Sequence, residues 1–268
     1  MSAALVDAAG TRHVPASPGF RIVSLVPSIT ELLCDLGLAQ ALVGRTGFCI
    51  HPRETVRGIA KVGGTKDVDL EKVRALAPTH VIVNVDENRK EDALAIEAVA
   101  PTLVVTHPLA PLDNLALYRL IGGLFGRGRE AEDLCARFEA EYTALAAAAG
   151  ALPPQRVLYL IWRNPWMTVS RDTYVSRMLG LVKWETVPEK AADRYPKVSL
   201  DQDAFEDARI VLLSSEPYRF GESHADELRG SLRGRTVALI DGEMTAWYGS
   251  RAIRALGYLL RFRRTLAP

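Results

Sequence analysis

The chain reads as an α/β protein of two similar lobes, each built on a mainly parallel sheet, joined by one long helix. Three features predict this. Short apolar runs alternate with amphipathic helical stretches, the pattern of parallel strands covered on both faces. One stretch rich in alanine and glutamate, 130–149, interrupts the alternation. Beyond it the alternation resumes with spacings that repeat the first half.

In order, residues 21–25 (RIVSL) predict a strand and 28–36 a helix stopped by Gly37. Ser28 and Glu31 stand in an S-x-x-E pattern, which predicts Ser28 as N-cap with Glu31 as its reciprocal partner. A helix at 70–76, a strand at 80–85, a helix at 93–100 and a strand at 102–106 follow. The 130–149 helix would run about 30 Å, and Pro153-Pro154 ends it, since proline cannot continue a helix. Then come strands at 156–160, 209–214 and 236–241, with helices at 173–179 and 250–262. The expected division is an N-terminal lobe (1–126), a connecting helix (127–152) and a C-terminal lobe (153–268).

The halves correspond in detail. Val68-Asp-Leu-Glu-Lys-Val leads into Val81-Ile-Val as Val198-Ser-Leu-Asp-Gln-Asp leads into Ile210-Val-Leu. Glu87 stands six positions past Val81, and Glu216 six past Ile210. Both glutamates therefore fall just beyond strand carboxyl ends, where open α/β sheets bind ligands, and are expected to face one cleft. Asn88 beside Glu87 and Tyr218 beyond Glu216 are counted with them.

Composition narrows the functions. A net charge of +1 over 268 residues predicts no nucleic-acid partner. No apolar stretch approaches the ~18–20 residues of a membrane span. Residues 1–19 carry neither the basic nor the apolar segment of a secretory leader. Cys34, Cys49 and Cys135 show no disulfide framework, so free thiols are expected. On these grounds the chain is expected to be a cytoplasmic monomer, or periplasmic if its true start lies upstream.

Trp162, Arg163, Trp166 and Met167 follow the first strand of the second lobe, and Trp247, Tyr248 and Arg251 follow its last. Large aromatics on polar turns suit a flat ligand with polar edges, and such turns are poor core elements, so these residues are expected to line the cleft. Glu87, Glu216, Arg163 and Arg251 would fix the ligand's polar rim. Cys49 and His51, two apart, share one face of an extended segment. With the two glutamates they are candidate ligands for zinc or a related metal. The alternative to a binding protein is a cytosolic enzyme using Cys49, His51, Glu216 and Glu243 as nucleophile or acid/base groups, or a metal carrier. No G-x-S-x-G, Walker A or H-E-x-x-H pattern is present, and the glycine-rich 122–128 stretch ends a helix rather than opening one. The basic turn Arg261-Phe-Arg-Arg264 is expected to complement its helix dipole.

Val6-Asp-Ala-Ala-Gly10, Arg21-Ile-Val-Ser-Leu-Val-Pro-Ser28 with Glu31, Leu70-Glu-Lys-Val with Ala77-Pro-Thr-His-Val-Ile, and Val198-Ser-Leu-Asp resemble the helical-backbone periplasmic binding protein family. That family includes vitamin B12, ferric-siderophore and haem receptors. Stretches such as Thr46-Gly-Phe-Cys-Ile-His-Pro52 and Leu160-Ile-Trp-Arg-Asn-Pro-Trp-Met167 look like its "helical backbone metal receptor" subgroup. The resemblance implies binding without catalysis, of a corrinoid-like or metal-chelate small ligand, with no covalent cofactor. It places Pro27, Ser28, Met167, Trp247 and Arg251 near that ligand. It further implies an ABC transporter permease as partner, docked by acidic residues at the places of Glu71 and Asp201. Each of those two also sits in the first turn of a helix, where a carboxylate complements the macrodipole, and Ser199 with Gln202 spells a capping box.

Overall fold

A computed structural model describes residues 4–200, 205 and 207–266. The chain opens with a two-stranded antiparallel hairpin, β1 (Leu5–Val6) and β2 (Arg12–His13). There follow β3 (Ile22–Ser24), α1 (Pro27–Asp35), β4 (Leu42–Arg45), α2 (Arg53–Val56), β5 (Ala60–Lys61), α3 (Leu70–Ala75), β6 (His80–Asn84), α4 (Lys90–Glu97), β7 (Thr102–Thr106) and α5 (Asp113–Leu124). These strands form one parallel sheet in the order β5-β4-β3-β6-β7. Every residue of β6 is buried, as expected for a strand covered on both faces. Val23, Leu25, Val62, Val73, Val81, Val83 and Ile96 make the core on one of those faces.

The long helix α6 (Gly128–Ala149) buries Ala131, Leu134, Cys135, Phe138, Leu145 and Ala149. Most of those spacings are three or four residues, the stripe of an amphipathic helix. After it come β8 (Gln155–Trp162), β9 (Met167–Thr168), α7 (Tyr174–Gly180), β10 (Trp184–Thr186), β11 (Ile210–Ser214), α8 (Glu222–Ser231), β12 (Thr236–Ile240), α9 (Gly242–Ala246) and α10 (Arg251–Thr265). The second sheet runs β10-β8-β11-β12, parallel throughout, with β9 antiparallel against β8. Its order matches β4-β3-β6-β7, so the pseudo-repeat in the sequence is also a repeat of topology. Among the described residues no helix is long and apolar enough to cross a membrane.

Contacts divide the chain into two units. One comprises the chain through Pro108, Leu112–Arg137 and Tyr248–Arg251; the other comprises Leu109–Pro111, Phe138–Trp247 and the chain from Ala252. The boundary falls inside α6, and Tyr248–Arg251, within the 153–268 stretch, packs with the first unit.

The expected capping box does not form. Val26 is the N-cap of α1, in extended backbone and without a side-chain cap bond, and Pro27 occupies the first turn. Proline is favoured there because its missing N–H would have no intrahelical acceptor. The helix thus begins one residue early, Ser28 falls inside it, and Glu31 finds a distant partner. The C-terminal basic turn places Arg263 and Arg264 in the last turn of α10, as expected, and Arg263 has further contacts. Arg263 is buried, its guanidinium lies 5.6 Å from the Trp184 ring centroid, and it donates to Pro153 O at 3.2 Å.

Candidate functional site

In the first unit the carboxyl ends of β3, β4 and β6 emerge at one end of the sheet. The loop after β6 carries Glu87, half-buried, whose Oε1 accepts the Tyr248 hydroxyl proton at 2.6 Å. Burial pushes Glu87 up to about 7; the Tyr248 hydrogen bond and the Lys66 charge oppose that rise. Tyr248 is itself held well above the usual tyrosine value by burial and by the Glu87 charge, so the proton of this pair rests on tyrosine oxygen. Asn88, next in the loop, is a structural clamp. Its Oδ1 accepts from Asn84 N at 2.8 Å, and its Nδ2 donates to Leu25 O (3.3 Å) and Thr65 O (3.0 Å).

Large apolar side chains stand in water around this loop. Phe48 is 62 % exposed, Val85 51 % and Ile50 49 %. Val85 directly follows β6, Phe48 and Ile50 lie in the loop after β4, and none of them was singled out from the sequence. The available signal was an apolar residue on each side of Cys49 in a glycine-led loop, just past a strand.

Tyr248–Arg251 is stitched into this unit. Gly249, at φ +78°, donates its N–H to Asn114 Oδ1 at 2.6 Å, and its carbonyl accepts from the Tyr118 hydroxyl at 2.8 Å. Arg251 makes a two-pronged ion pair with Glu31, Nε to Oε2 at 2.7 Å and Nη2 to Oε1 at 3.0 Å, both side chains being more than nine-tenths buried. The expectation that Arg251 and Tyr248 present their polar groups to a ligand is therefore corrected: these groups bind Glu31 and Glu87. Trp247, expected to line a cleft, is only 7 % exposed. Pro27 and Ser28 are buried in α1.

The second unit places an aromatic group at the carboxyl ends of its strands. Trp162 ends β8 at 40 % exposure, edge-on to Tyr218 at 5.6 Å. Tyr218 tilts against Phe220 at 4.7 Å, and Phe220 stacks with Trp166 at 6.0 Å. The Arg163 guanidinium lies 5.6 Å from the Trp166 ring centroid and pairs with Glu227 at 2.8 Å, not with a bare rim. The Tyr218 hydroxyl meets His224 Nε2 at 3.2 Å. Met167 pairs with Trp162 in the β8–β9 ladder. Glu216, half-buried, lies past β11 as Glu87 lies past β6. A Cβ on Gly242 would come within 2.6 Å of Glu216 Cγ, so only glycine lets α9 pass this close. Glu243 opens α9, whose N-cap is Asp241 (Oδ1 to Met244 N, 3.2 Å).

The expected metal centre is absent: among the described residues no three His, Cys, Asp or Glu side chains gather as a metal site. Cys49 is buried, its sulfur 3.1 Å from Thr46 Oγ1, and burial pushes its thiol above the ordinary value. That is the opposite of an activated thiolate, so Cys49 does not fit nucleophilic chemistry. Glu71 sits exposed in the first turn of α3 and pairs with Arg74. Asp201 and the Gln202 half of the second capping box lie outside the described residues. A cavity of about 720 Å³ is at the amino ends of β6 and β7, the opposite end of the sheet from Glu87.

Comparison with known proteins agrees with this architecture. Residues 22–230 match the family model described as periplasmic binding protein. A vitamin B12-binding protein of Yersinia pestis is 22% identical over 207 residues, covering 75% of this chain and 71% of that protein. Among solved structures, the periplasmic vitamin B12 binding protein BtuF of Vibrio cholerae superposes with a TM-score of 0.79 at 16% identity, over 91% of this chain and 96% of that one. The periplasmic heme-binding protein RhuT from Roseiflexus sp. RS-1 superposes with a TM-score of 0.76 at 24% identity, over 92% and 98%. Both structural likenesses are likenesses of fold.

Proposed function

Because this chain belongs to the periplasmic binding protein family, we propose that it is a substrate-binding protein for a corrinoid, haem or related metal-chelate ligand, acting as the homologue of an ABC transporter's binding component. The observation that carries this reading is the placement of exposed apolar surface. In each unit, at the carboxyl ends of the parallel strands, large apolar side chains stand in water beside a half-buried glutamate: Phe48, Ile50 and Val85 near Glu87, Trp162 near Glu216. Exposed apolar clusters rimmed by polar groups mark binding surfaces, and this end of the sheet is where such folds take ligands.

The ligand lies in this proposal at the carboxyl ends of the strands, a flat face against an exposed aromatic such as Trp162 or Phe48 and its polar edge near a glutamate. Covering apolar area contributes about 25 cal/mol per Å² before ordering costs. Capture then needs no chemistry, consistent with relatives that are binding proteins and with the raised Cys49 thiol. Glu71, exposed on α3, is the candidate contact to a permease.

Titration of cobalamin, cobinamide, haem and ferric chelates, followed by quenching of tryptophan fluorescence, tests the reading. One of them should quench, and Trp162→Ala should weaken its binding by about 1–3 kcal/mol, the cost of losing a buried aromatic contact. No quenching by any of them would refute it.

A further inference from the structure

The exposed indole of Trp162 belongs to a packed group of rings in which one polar proton is left over. α8 starts after Gly221, whose backbone N–H donates to His224 Nδ1 at 3.0 Å. His224 thus stands in the first turn where a glutamate or glutamine usually reaches back to the N-cap N–H. A ring nitrogen that accepts a hydrogen bond carries no proton, so the imidazole hydrogen of His224 is on Nε2. Nε2 lies 3.2 Å from the Tyr218 hydroxyl oxygen and donates to it. Tyr218 cannot then give its own proton to His224, and among the described residues its hydroxyl meets no other partner.

Ring packing holds this arrangement in place. His224 lies edge-on to Tyr218 and to Phe220, with centroids 5.5 Å away in each pair. Tyr218 tilts against buried Phe220 at 4.7 Å and stands edge-on to Trp162 at 5.6 Å. Its backbone N–H donates to Ile161 O at 3.3 Å, which ties the segment to the end of β8. The unspent proton therefore sits on a half-buried side chain in direct contact with the exposed indole.

We propose that Tyr218 is a ligand-binding residue that donates its hydroxyl proton to an oxygen at the ligand's edge, with His224 as the positioning residue that turns this proton away from itself. The ligand is then one whose apolar face covers Trp162 and whose adjoining edge carries acceptor oxygens, carboxylate or carbonyl. This rests on the reading that the end of β8 takes the ligand, and adds the polar chemistry recognised there. A hydroxyl whose oxygen already accepts a hydrogen bond is the stronger donor for it. An ammonium edge brings only donors, and the Tyr218 oxygen is already engaged.

The test uses the full chain and three flat probes that share one ring system: naphthoate, acetylnaphthalene and naphthylmethylammonium. Binding is followed by NMR at the Trp162 indole N–H. Tyr218→Phe keeps the ring and loses only the hydroxyl; it should weaken acetylnaphthalene about five-fold and naphthoate about ten-fold or more, the loss of one hydrogen bond to a neutral or a charged acceptor, and leave naphthylmethylammonium unchanged. His224→Glu keeps the reach to the Gly221 N–H but offers Tyr218 an acceptor, so the hydroxyl proton turns inward. Acetylnaphthalene, which has no charge for the new carboxylate to repel, should then lose as much affinity as in Tyr218→Phe while the melting temperature holds; His224→Gln, which keeps both the cap and an N–H donor, should restore it. Nitrogen NMR of the free protein should show the His224 proton on Nε2 alone. A proton on Nδ1, acetylnaphthalene affinity unchanged in Tyr218→Phe, or no probe shifting the Trp162 signal would overturn the proposal. If cobalamin, cobinamide, haem and ferric chelates all fail to bind while the carbonyl probes bind through Tyr218, the donor site stands and the metal-chelate reading falls.

Discussion

Replacing Arg251 with methionine removes one partner of a buried ion pair and leaves the other in place. The guanidinium meets Glu31 at 2.7 and 3.0 Å, with side chains only 7% and 6% exposed. With charge centres about 4 Å apart and an effective dielectric constant near 20, the attraction is about 4 kcal/mol. Its loss takes from the buried Glu31 carboxylate its ion-pair partner, for which the typical cost is about 3–5 kcal/mol. Folding free energies of about 5–15 kcal/mol make that a large fraction of the total, and at roughly 2–4 °C per kcal/mol the melting temperature should fall by about 6–20 °C. The double variant Arg251→Met/Glu31→Leu buries no charge and should recover most of the loss, as replacement of whole buried ion pairs by apolar residues does. Urea unfolding followed by circular dichroism measures wild type, both single variants and the double variant, and fluorescence titration should find ligand affinity retained in the double variant. A cost below about 1 kcal/mol for Arg251→Met, the behaviour of an exposed pair, would refute the reasoning. So would a double variant as unstable as the sum of its singles.

Glu87 makes stability depend on pH. Its folded value of about 7 lies above the ordinary 4.5, so the folded state takes up this proton first, and the contribution to stability falls as pH rises from about 4.5 to 7 and is level above that. Glu87→Gln should remove this slope, read as the difference in melting temperature between wild type and variant from pH 4.5 to 8. Tyr248→Phe deletes the hydrogen bond that favours the carboxylate and should move the Glu87 midpoint higher, measured by carbon NMR of the carboxyl group. Cys49 should resist iodoacetamide at neutral pH until the protein unfolds, because only the thiolate reacts and burial disfavours it; mass spectrometry of the native protein would show Cys49 unmodified.

Part of the site was legible because its signals are local. Glu87 and Glu216 stand at equal offsets from strands whose apolar runs are unmistakable, so their place beyond the strand ends follows from counting. Trp162, expected just past a strand at 156–160, instead ends β8, which runs two residues further. Phe48, Ile50 and Val85 were not legible: an apolar residue after a strand reads as core, and only the folded chain shows that nothing covers it. Trp247 misled in the reverse sense, since a Trp-Tyr-Gly turn suggests exposure while the indole is buried.

The sequence by itself determined what depends on spacing within a few residues: the α/β alternation, the long helix expected at 130–149 and found at Gly128–Ala149, and the twofold repetition of the halves. Those follow from the periods of helix and strand. Only the tertiary structure decided the partners. Ser28 and Glu31 satisfy the local rule for a capping box, but Pro27 starts the helix first and Glu31 pairs with Arg251, 220 positions away. Tyr248 reaches Glu87 across 161 positions. Asp7, beside His13 in the N-terminal hairpin, accepts from Val105 N of β7, 98 positions away. A polar side chain that loses water must find a hydrogen-bond partner wherever the fold brings one, and that choice is made by the assembled chain, not by the neighbours in the sequence.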